Sequence, residues 1–478
     1  MTPLSFALAH SLPEIVLAVG ALVLLMLGAL QKLKGDWLIS EAAIVLLGLA
    51  ALSMLFQIKT EPAVIWDGAF IDDSFARYMK LLALGGALFS LVLSREFMAR
   101  EGIDFFEFPV LILLATLGML MLISAQSLIA LYLGLELMSL ALYVIAAFHR
   151  DNLRASEAGL KYFVLGALSS GMMLYGASLI YGFAGTVSFT GIGEALRGGP
   201  NIGIVFGLVF LMAGLAFKMS VVPFHMWTPD VYEGAPTPVT TFFASAAKMA
   251  AVAITVRIVI TAFPGMKLQW QQIIVFISIL SMAVGAFGAI GQTNIKRLMA
   301  YSSIGHMGFA LVGLSAGTEQ GVLGVLIYLS IYLVMTLGTF AAILSMRIGN
   351  RYVENIGDLA GLSRNNKLLA FVLAMMMFSL AGIPPLAGFF AKWYVFVAAI
   401  HSNLYWLAVI GMLASVVSAF YYLRVVKIMY LDEPARPFDR VNWEVTAVMA
   451  LGGLFVVLFW IYPGPLVEAA SAAAKSLF

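Results

Sequence analysis

Apolar stretches of about 20 residues recur along the whole chain, and each is long enough to cross a bilayer as a helix. Windows of this length predict about 14 spans, near 13–31, 38–57, 75–94, 107–125, 127–148, 159–183, 203–222, 238–263, 271–290, 298–316, 321–346, 368–400, 404–424 and 445–463. Only 11% of the 478 residues are charged, against roughly 25% in soluble domains. The sequence therefore predicts an all-α polytopic membrane protein, with a single membrane domain over 1–478 in contact with the lipid bilayer.

Basic residues are concentrated in alternate loops. The loops on one side, which include Lys32 and Lys34, hold 16 of the 27 Lys and Arg residues, and the other side, which includes Lys59, holds 6. Positive residues mark the cytoplasmic face, so we expect both termini on the outer face. The first apolar run, 15–30, is too long for the core of a cleavable signal peptide and is interpreted as a retained span.

Several function classes are excluded by what the chain contains. It has no Cys, so thiolate-bound zinc and ordinary iron–sulfur clusters are not expected here. Its five His residues are scattered, and no two are four residues apart, so no metal or haem site is predicted. A net charge of +2 without a basic patch gives no reason to expect nucleic acid. Any redox centres are therefore expected on other chains.

Proline-rich segments interrupt the seventh and twelfth predicted spans. Pro223 follows Lys218 in the seventh, and Pro384 and Pro385 precede Lys392 in the twelfth. Proline breaks a helix, and broken helices at membrane depth are typical of transport sites. Spans seven and twelve are five apart and run in opposite directions, which predicts two inverted five-helix repeats, at 107–263 and 271–424. The first three spans (1–106) and the last (445–463) lie outside them.

Four charged residues lie deep inside predicted spans: Glu136, Lys218, Lys248 and Lys392. A charge at a helix centre costs about 2.5–3.5 kcal/mol on insertion scales, so each needs a reason. We predict that they carry protons across the bilayer. The alternatives are a structural ion pair or a protonated carboxyl at Glu136, and static counter-charges at the lysines.

We hypothesise that Glu136 controls whether Lys218 holds or releases its proton. Desolvation favours a neutral lysine, whereas a nearby carboxylate favours the charged one. At about 6 Å and an effective dielectric of 20, that attraction is roughly 3 kcal/mol, similar in size to the desolvation. A change in spacing or hydration could therefore make such a lysine hold or release its proton.

Three further residues are weaker candidates for the proton route. Lys161 lies near the start of the sixth span and could equally extend to the membrane surface. His306 is mid-span and suited to proton shuttling, although a packing role is nearly as well supported. His225 lies at the break of the seventh span, where a loop role competes. Arg257 is interpreted as an anchor at the membrane interface.

Two motifs carry a resemblance to a known family. The segment 217–238 contains Pro-Asp-Val-Tyr-Glu-Gly-Ala-Pro at 229–236, and 296–308 reads Lys-Arg-Leu-Met-Ala-Tyr-Ser-Ser-Ile-Gly-His-Met-Gly. With its 14 spans and two broken helices, the whole chain resembles the antiporter-like membrane subunits of bacterial respiratory complex I (NADH–quinone oxidoreductase). These share a core with Mrp-type cation/proton antiporters. The first motif looks like the subunit N branch.

The resemblance implies a function and an assembly. It implies a translocase subunit of the cell inner membrane that moves protons through Glu136, Lys218, Lys248 and Lys392, with Lys161 also involved. It also implies partner membrane subunits, including sister antiporter-like subunits, and FMN, iron–sulfur clusters and quinone held by partners, with no cofactor on this chain. The alternatives are a subunit of an Mrp-type antiporter and an inert bundle that anchors its neighbours.

Overall fold

The computed structural model describes residues 4–31, 37–57, 61–199, 201–349 and 351–478. The loop residues Lys32, Lys34 and Lys59 lie outside this part of the chain. Helices of the first half are α1 (Leu4–His10), α2 (Leu12–Gln31), α3 (Trp37–Gln57), α4 (Ser74–Glu101), α5 (Glu107–Ser124), α6 (Leu128–Ala146), α7 (Leu153–Ala184), α8 (Phe189–Ala195), α9 (Ile202–Met219), α10 (Trp227–Gly234), α11 (Thr237–Phe242) and α12 (Lys248–Arg257). Those of the second half are α13 (Lys267–Ile290), α14 (Ile295–Ser315), α15 (Glu319–Leu344), α16 (Leu362–Asn365), α17 (Lys367–Ala381), α18 (Ala387–His401), α19 (Tyr405–Leu431), α20 (Trp443–Leu458) and α21 (Gly464–Lys475).

Short elements connect or extend these helices. Two π-helices, Phe243–Ala247 and Ile258–Ala262, flank α12, so that α11 and α12 form one continuous rod. Two antiparallel hairpins lie between helices: β1 (Ala63–Ile65) with β2 (Phe70–Asp72), and β3 (Arg347–Ile348) with β4 (Arg351–Tyr352). Single 3₁₀ turns occupy Leu196–Gly198, Pro264–Met266 and Ile356–Leu359. Neither the hairpins nor the terminal helix α21 was predicted from the apolar pattern.

The helical membrane architecture is confirmed. Twelve helices within the described residues are long and apolar enough to cross a membrane, and they coincide with predicted spans. Three shorter apolar helices, α17, α18 and α20, occupy the regions predicted as spans twelve and fourteen. The exact total of 14, the inverted repeats and the boundaries drawn from them remain predictions.

Both predicted breaks are present. Helix α9 ends at Met219, because Ser220 adopts a left-handed conformation (φ 62°) and Pro223 follows through a cis peptide bond. Helix α17 ends at Ala381, where Gly382 is left-handed (φ 89°) and Pro384 and Pro385 are joined by a cis bond. The predicted spans 203–222 and 368–400 are therefore too long as single helices. Lys218 and Lys392 each lie within two turns of a break.

Close helix packing depends on small residues, as is common where apolar surface alone cannot drive association. A Cβ atom at Gly285 of α13 would lie 2.5 Å from the backbone nitrogen of Gly305 on α14. One at Gly118 of α5 would lie 2.4 Å from the backbone nitrogen of Met138 on α6. Helices α12, α14 and α15 are almost entirely buried, whereas α2 and α3 are mostly exposed on the outside of the bundle. The centre of the candidate site is built on α12, α14 and α15.

Candidate functional site

Lys218 lies in an aromatic cage at the end of α9. It is buried, and its ammonium group donates a hydrogen bond of 3.1 Å to the hydroxyl of Tyr143 on α6. The ammonium nitrogen is 4.9 Å from the ring centroid of Tyr143 and 5.4 Å from those of Tyr162 and Phe217. Aromatic faces attract a cation, especially where water is excluded. The cage therefore accommodates Lys218 in its charged form.

Glu136 is near this cage but forms no direct ion pair with Lys218. It precedes Tyr143 by seven residues on α6, so both side chains extend from the same helical face. The glutamate is half-buried, and its Oε1 atom is buried without a hydrogen-bond partner from the protein. Tyr143 and its partner Lys218 both lie within electrostatic range of Glu136. The switch hypothesised from the sequence remains a prediction.

Lys248 begins α12 immediately after the π-helix Phe243–Ala247 and is only 1% exposed. π-Helical turns are frequent at functional sites. The Lys248 ammonium donates a hydrogen bond to the hydroxyl of Ser303 on α14, which also accepts one of 2.9 Å from Tyr332 on α15. Three central helices thus meet at the Ser303 hydroxyl.

His306 follows Ser303 by three residues on α14 and is completely enclosed by tyrosines. Its Nδ1 atom is 2.6 Å from the hydroxyl of Tyr328, and its Nε2 atom is 3.1 Å from that of Tyr422. Its ring also lies 5.2 Å from that of Tyr332, the partner of Ser303. Because both ring nitrogens have hydroxyl partners, His306 can receive a proton at one nitrogen and release one from the other.

Lys392 lies on the first turns of α18 and reaches back to the end of α17. Its ammonium donates to the carbonyls of Ala381 (2.8 Å) and Leu380 (3.3 Å) and to the hydroxyl of Ser415 (2.7 Å). The last carbonyls of a helix lack intrahelical donors and attract cations. The helix break thus provides polar ligands for a lysine that is 6% exposed. Its ammonium also lies 4.8 Å from the ring centroid of Phe309.

Together these residues form what we call the central charge line: Glu136, Lys218, Lys248, His306 and Lys392. His306 lies within electrostatic range of both Lys248 and Lys392, and Phe309 contacts both His306 and Lys392. The line is not one continuous run of protein hydrogen bonds. Several buried polar atoms beside it lack protein partners, in Ser170, Ser220, Thr228, Tyr232 and Thr336. Buried polar groups are normally satisfied, so these atoms are suited to bind water along the line.

Lys161 and His225 are not part of this line. Lys161 is 41% exposed at its side chain and pairs with Glu157 (2.7 Å) and Asp230 (2.8 Å). Asp230 also pairs with Arg297 on α14 (2.7 Å), so the cluster links α7, α10 and α14. His225 is half-buried at the break, and its Nδ1 atom has no protein partner.

Asp230 shows the electrostatics of that cluster, outside the apolar spans. Burial raises the pKa of its carboxyl, but hydrogen bonds from Lys161 and Arg297 lower that pKa by a larger amount. The pKa of Asp230 therefore lies below its usual value. Glu233, on the same short helix, also pairs with Arg297 at 3.0 Å. Asp230 therefore stays ionised at neutral pH.

The interpretation of Arg257 as an interface anchor is wrong. Its side chain is 1% exposed, and both of its terminal nitrogens donate hydrogen bonds of 2.8 Å to the carboxylate of Asp73. Asp73 also caps the first turn of α4. The partners are 184 residues apart in the chain, which is why no local pattern revealed the pair.

The tyrosine and serine partners of the line also escaped sequence analysis. Single Tyr and Ser residues are common in apolar helices and carry little information by themselves. One usable signal was the spacing of Tyr328 and Tyr332, which places both on one face of α15. The adjacent Ser302 and Ser303, four and three residues before His306, were another.

Comparison with known proteins identifies the family. Residues 125–418 match the family described as NADH:quinone oxidoreductase/Mrp antiporter, TM. The chain is 70% identical to NADH-quinone oxidoreductase subunit N of Beijerinckia indica subsp. indica, with 100% of both chains covered. It is 62% identical to the subunit N of Parvibaculum lavamentivorans over 98% of this chain and 97% of that relative. The chain belongs to the NADH-quinone oxidoreductase subunit N family. The resemblance read from the two motifs is thereby confirmed.

Solved structures agree with this membership of the subunit N family. A chain of respiratory complex I from Thermus thermophilus, with bound aureothin, superposes with a TM-score of 0.82 at 34% identity, covering 96% of this chain and 99% of that one. A chain of the Mrp complex from Dietzia sp. superposes with a TM-score of 0.87 at 22% identity, covering 100% and 98%. The second likeness concerns the fold alone.

Proposed function

We propose that this chain conducts protons across the membrane along the central charge line, as a subunit of NADH-quinone oxidoreductase. The observation that carries the proposal is the meeting of Lys248, Ser303 and Tyr332 beside His306, in the most buried part of the bundle. Isolated structural charges need only one counter-charge each. Here Lys248 instead bonds the hydroxyl of Ser303, and His306 bonds those of Tyr328 and Tyr422. A hydroxyl group can accept one proton while donating another.

A proton would move along the line in short transfers. Lys218 and Lys248 hold a proton as ammonium groups, and their hydroxyl partners, Tyr143 and Ser303, give each an adjacent acceptor. His306 passes a proton between its two nitrogens, and Lys392 receives it beside the second break. Charges interact strongly at low dielectric. Protonating one member therefore changes the free energy of protonating its neighbours. The charge of Glu136 acts in this way on Lys218.

In this mechanism the half-helices at the two breaks move. Lys218 and Lys392 are held near the ends of half-helices, where a small rotation would change their hydroxyl and carbonyl partners. Membrane potential opposes outward transfer by about 2.3 kcal/mol per proton per 100 mV. The movement must therefore be driven by energy from outside this chain, and we propose electron transfer from NADH to quinone.

The names of the relatives support a proposal for the wider assembly. Those with 54–70% identity are named as subunit N of bacterial NADH-quinone oxidoreductases. We place this chain in the cell inner membrane beside sister antiporter-like subunits, with both termini outside. FMN, iron–sulfur clusters and quinone would be held by partner subunits.

The second candidate is a subunit of an Mrp-type cation/proton antiporter. The matched family covers both groups, and the Mrp chain has a closely similar fold. The full-length identity to subunit N relatives favours the first assignment. A purified native complex decides between them, because only a complex I carries flavin and iron–sulfur absorbance and oxidises NADH.

The proton route is tested by Lys248→Met in inverted membrane vesicles. Removing the ammonium interrupts the line, and we expect NADH-driven proton uptake to fall about tenfold or more, as when an acid–base group is lost. Lys267→Met is the matched control, since Lys267 is exposed and bonds the carbonyl of Gly317. An assembled Lys248→Met complex that keeps the wild-type number of protons per NADH would exclude the route.

A further inference from the structure

A cavity with a polar part lies apart from the central charge line. It has a volume of about 250 Å³ and is lined by α1, α2, α4, α5 and the β1–β2 hairpin. Its walls are mostly apolar, including Trp66, Phe70 and Leu117, but one part is lined by His10, Ser11, Glu14, Lys80 and Ser124. Since one water occupies roughly 30 Å³ of liquid, the cavity has room for several.

The polar part contains a largely buried ion pair with unused hydrogen-bonding capacity. Glu14 Oε1 lies 2.6 Å from the ammonium of Lys80, a residue only 2% exposed. The other carboxylate oxygen, Oε2, is buried without a protein partner, and so is the hydroxyl of Ser124. Ser124 is itself 4% exposed. Two such orphaned atoms on one cavity are the condition under which buried water binds.

His10 adds an imidazole to the polar part of the cavity. Its Nδ1 atom is 2.7 Å from Asp72, whose carboxylate also accepts two hydrogen bonds of 2.9 Å from Arg77. The charged groups around it come from every packed element: Glu14 on α2, Asp72 on β2, Asp73, Arg77 and Lys80 on or beside α4, and Arg257 on α12. Three carboxylates and three basic side chains therefore surround the imidazole.

We propose that this cavity is a hydrated proton-exchange site on the outer face of the membrane, with His10 as the exchanging group. A hydronium ion in the cavity transfers its proton to the neutral imidazole, leaving water and an imidazolium paired with Asp72. The reverse step returns the proton to water. The outer-face assignment rests on the orientation given under the proposed function.

The site is mechanically joined to the helix that carries Lys248. Asp73, next to Asp72, is held by Arg257 at the far end of α12. Arg257 Nε also donates to the carbonyl of Ile123 (3.3 Å), the residue before Ser124. A change of charge at His10 therefore occurs beside the contacts of Arg257 with Asp73 and Ile123, which position α12.

Single-cysteine labelling tests the hydration, because the chain has no native Cys. Assembled complexes that carry Ser124→Cys are treated with a small cationic methanethiosulfonate in right-side-out vesicles. The control is Thr116→Cys, which is on the same helix, fully buried and absent from the cavity lining. We expect the Ser124→Cys thiol to react at least about tenfold faster, as solvent access allows. Equal rates would overturn the hydrated cavity, and labelling only in inverted vesicles would overturn its outer-face position. Met121→Cys, also on the cavity, replaces Ser124→Cys if that variant does not assemble.

The pH profile of the same reaction tests proton exchange. Beside the titration of the thiol itself, we expect a second inflection in the labelling rate, caused by the charge that His10 gains when it takes up a proton. His10→Gln in the Ser124→Cys background should remove it. A profile with one inflection, or one unchanged by His10→Gln, would overturn the exchange role. Neither measurement uses NADH or pumping, so a failure of this proposal can be distinguished from a failure of the proposed proton route.

Discussion

Arg257 and Asp73 form a buried two-bond ion pair that joins α12 to the first turn of α4, with both hydrogen bonds at 2.8 Å. Removing one partner of a buried pair leaves the other charge uncompensated, at a cost of about 3–5 kcal/mol. We therefore expect Arg257→Gln to lower the yield of assembled complex and its thermal midpoint in detergent. The double variant Arg257→Gln/Asp73→Asn should recover much of the loss. If the double variant is as unstable as the sum of the single ones, the pair is not the cause.

The hydroxyl of Tyr332 is expected to matter for transport and little for stability. Tyr332→Phe keeps the ring against His306 but removes the hydrogen bond to Ser303, worth about 1 kcal/mol. Assembly should be unchanged, whereas the NADH-driven pumping rate should fall because the link beside Lys248 loses a hydroxyl.

Tyr78→Phe is a matched control for that experiment. Tyr78 makes the same kind of bond, 2.6 Å to Ser330, and Ser330 is also on α15, but neither residue contacts the central charge line. Equal losses of pumping in the two variants would show that Tyr332 acts through packing alone.

The features that sequence predicted best were those that carry an energetic penalty. A charge inside an apolar span and a proline inside a helix are both costly, so Lys218, Lys248, Lys392 and the two breaks could be located without a structure. Tyr332, Ser303 and Tyr422 carry no such penalty. Their importance depends on which faces of α14, α15 and α19 meet, and that is decided by packing between segments far apart in the chain.

The second break depends on close contact between its two half-helices. A Cβ atom at Gly388 of α18 would lie 1.8 Å from the carbonyl oxygen of Ser379 on α17. The backbone would have to move, and forced overpacking costs typically about 1–3 kcal/mol. Gly388→Ala should therefore lower the thermal midpoint and disturb the carbonyl ligands of Lys392, which reduces pumping.

The control for Gly388→Ala is Gly171→Ala on α7, where an added Cβ meets no atom within 4 Å. Alanine is also favoured over glycine in a helix interior, by roughly 0.5–1 kcal/mol. That variant should be as stable as the wild type or more so. If Gly388→Ala behaves the same way, the contact at the break is not tight enough to constrain Lys392.

The cluster that links α7, α10 and α14 should lose the stabilisation by Asp230 at low pH. Its pKa in the folded protein lies below the unfolded value of about 3.9. The ionised carboxylate therefore contributes its full stabilisation above that unfolded value, and the contribution is lost as the pH falls through the lower folded pKa. The thermal midpoint of the wild type should accordingly exceed that of Asp230→Asn at pH 6, and the difference should shrink below about pH 4. Asp432→Asn, whose partner Lys427 is exposed, should show little difference at either pH. A gap between wild type and Asp230→Asn that stays constant from pH 6 to pH 3 would mean that Asp230 stabilises the cluster by packing and not by charge.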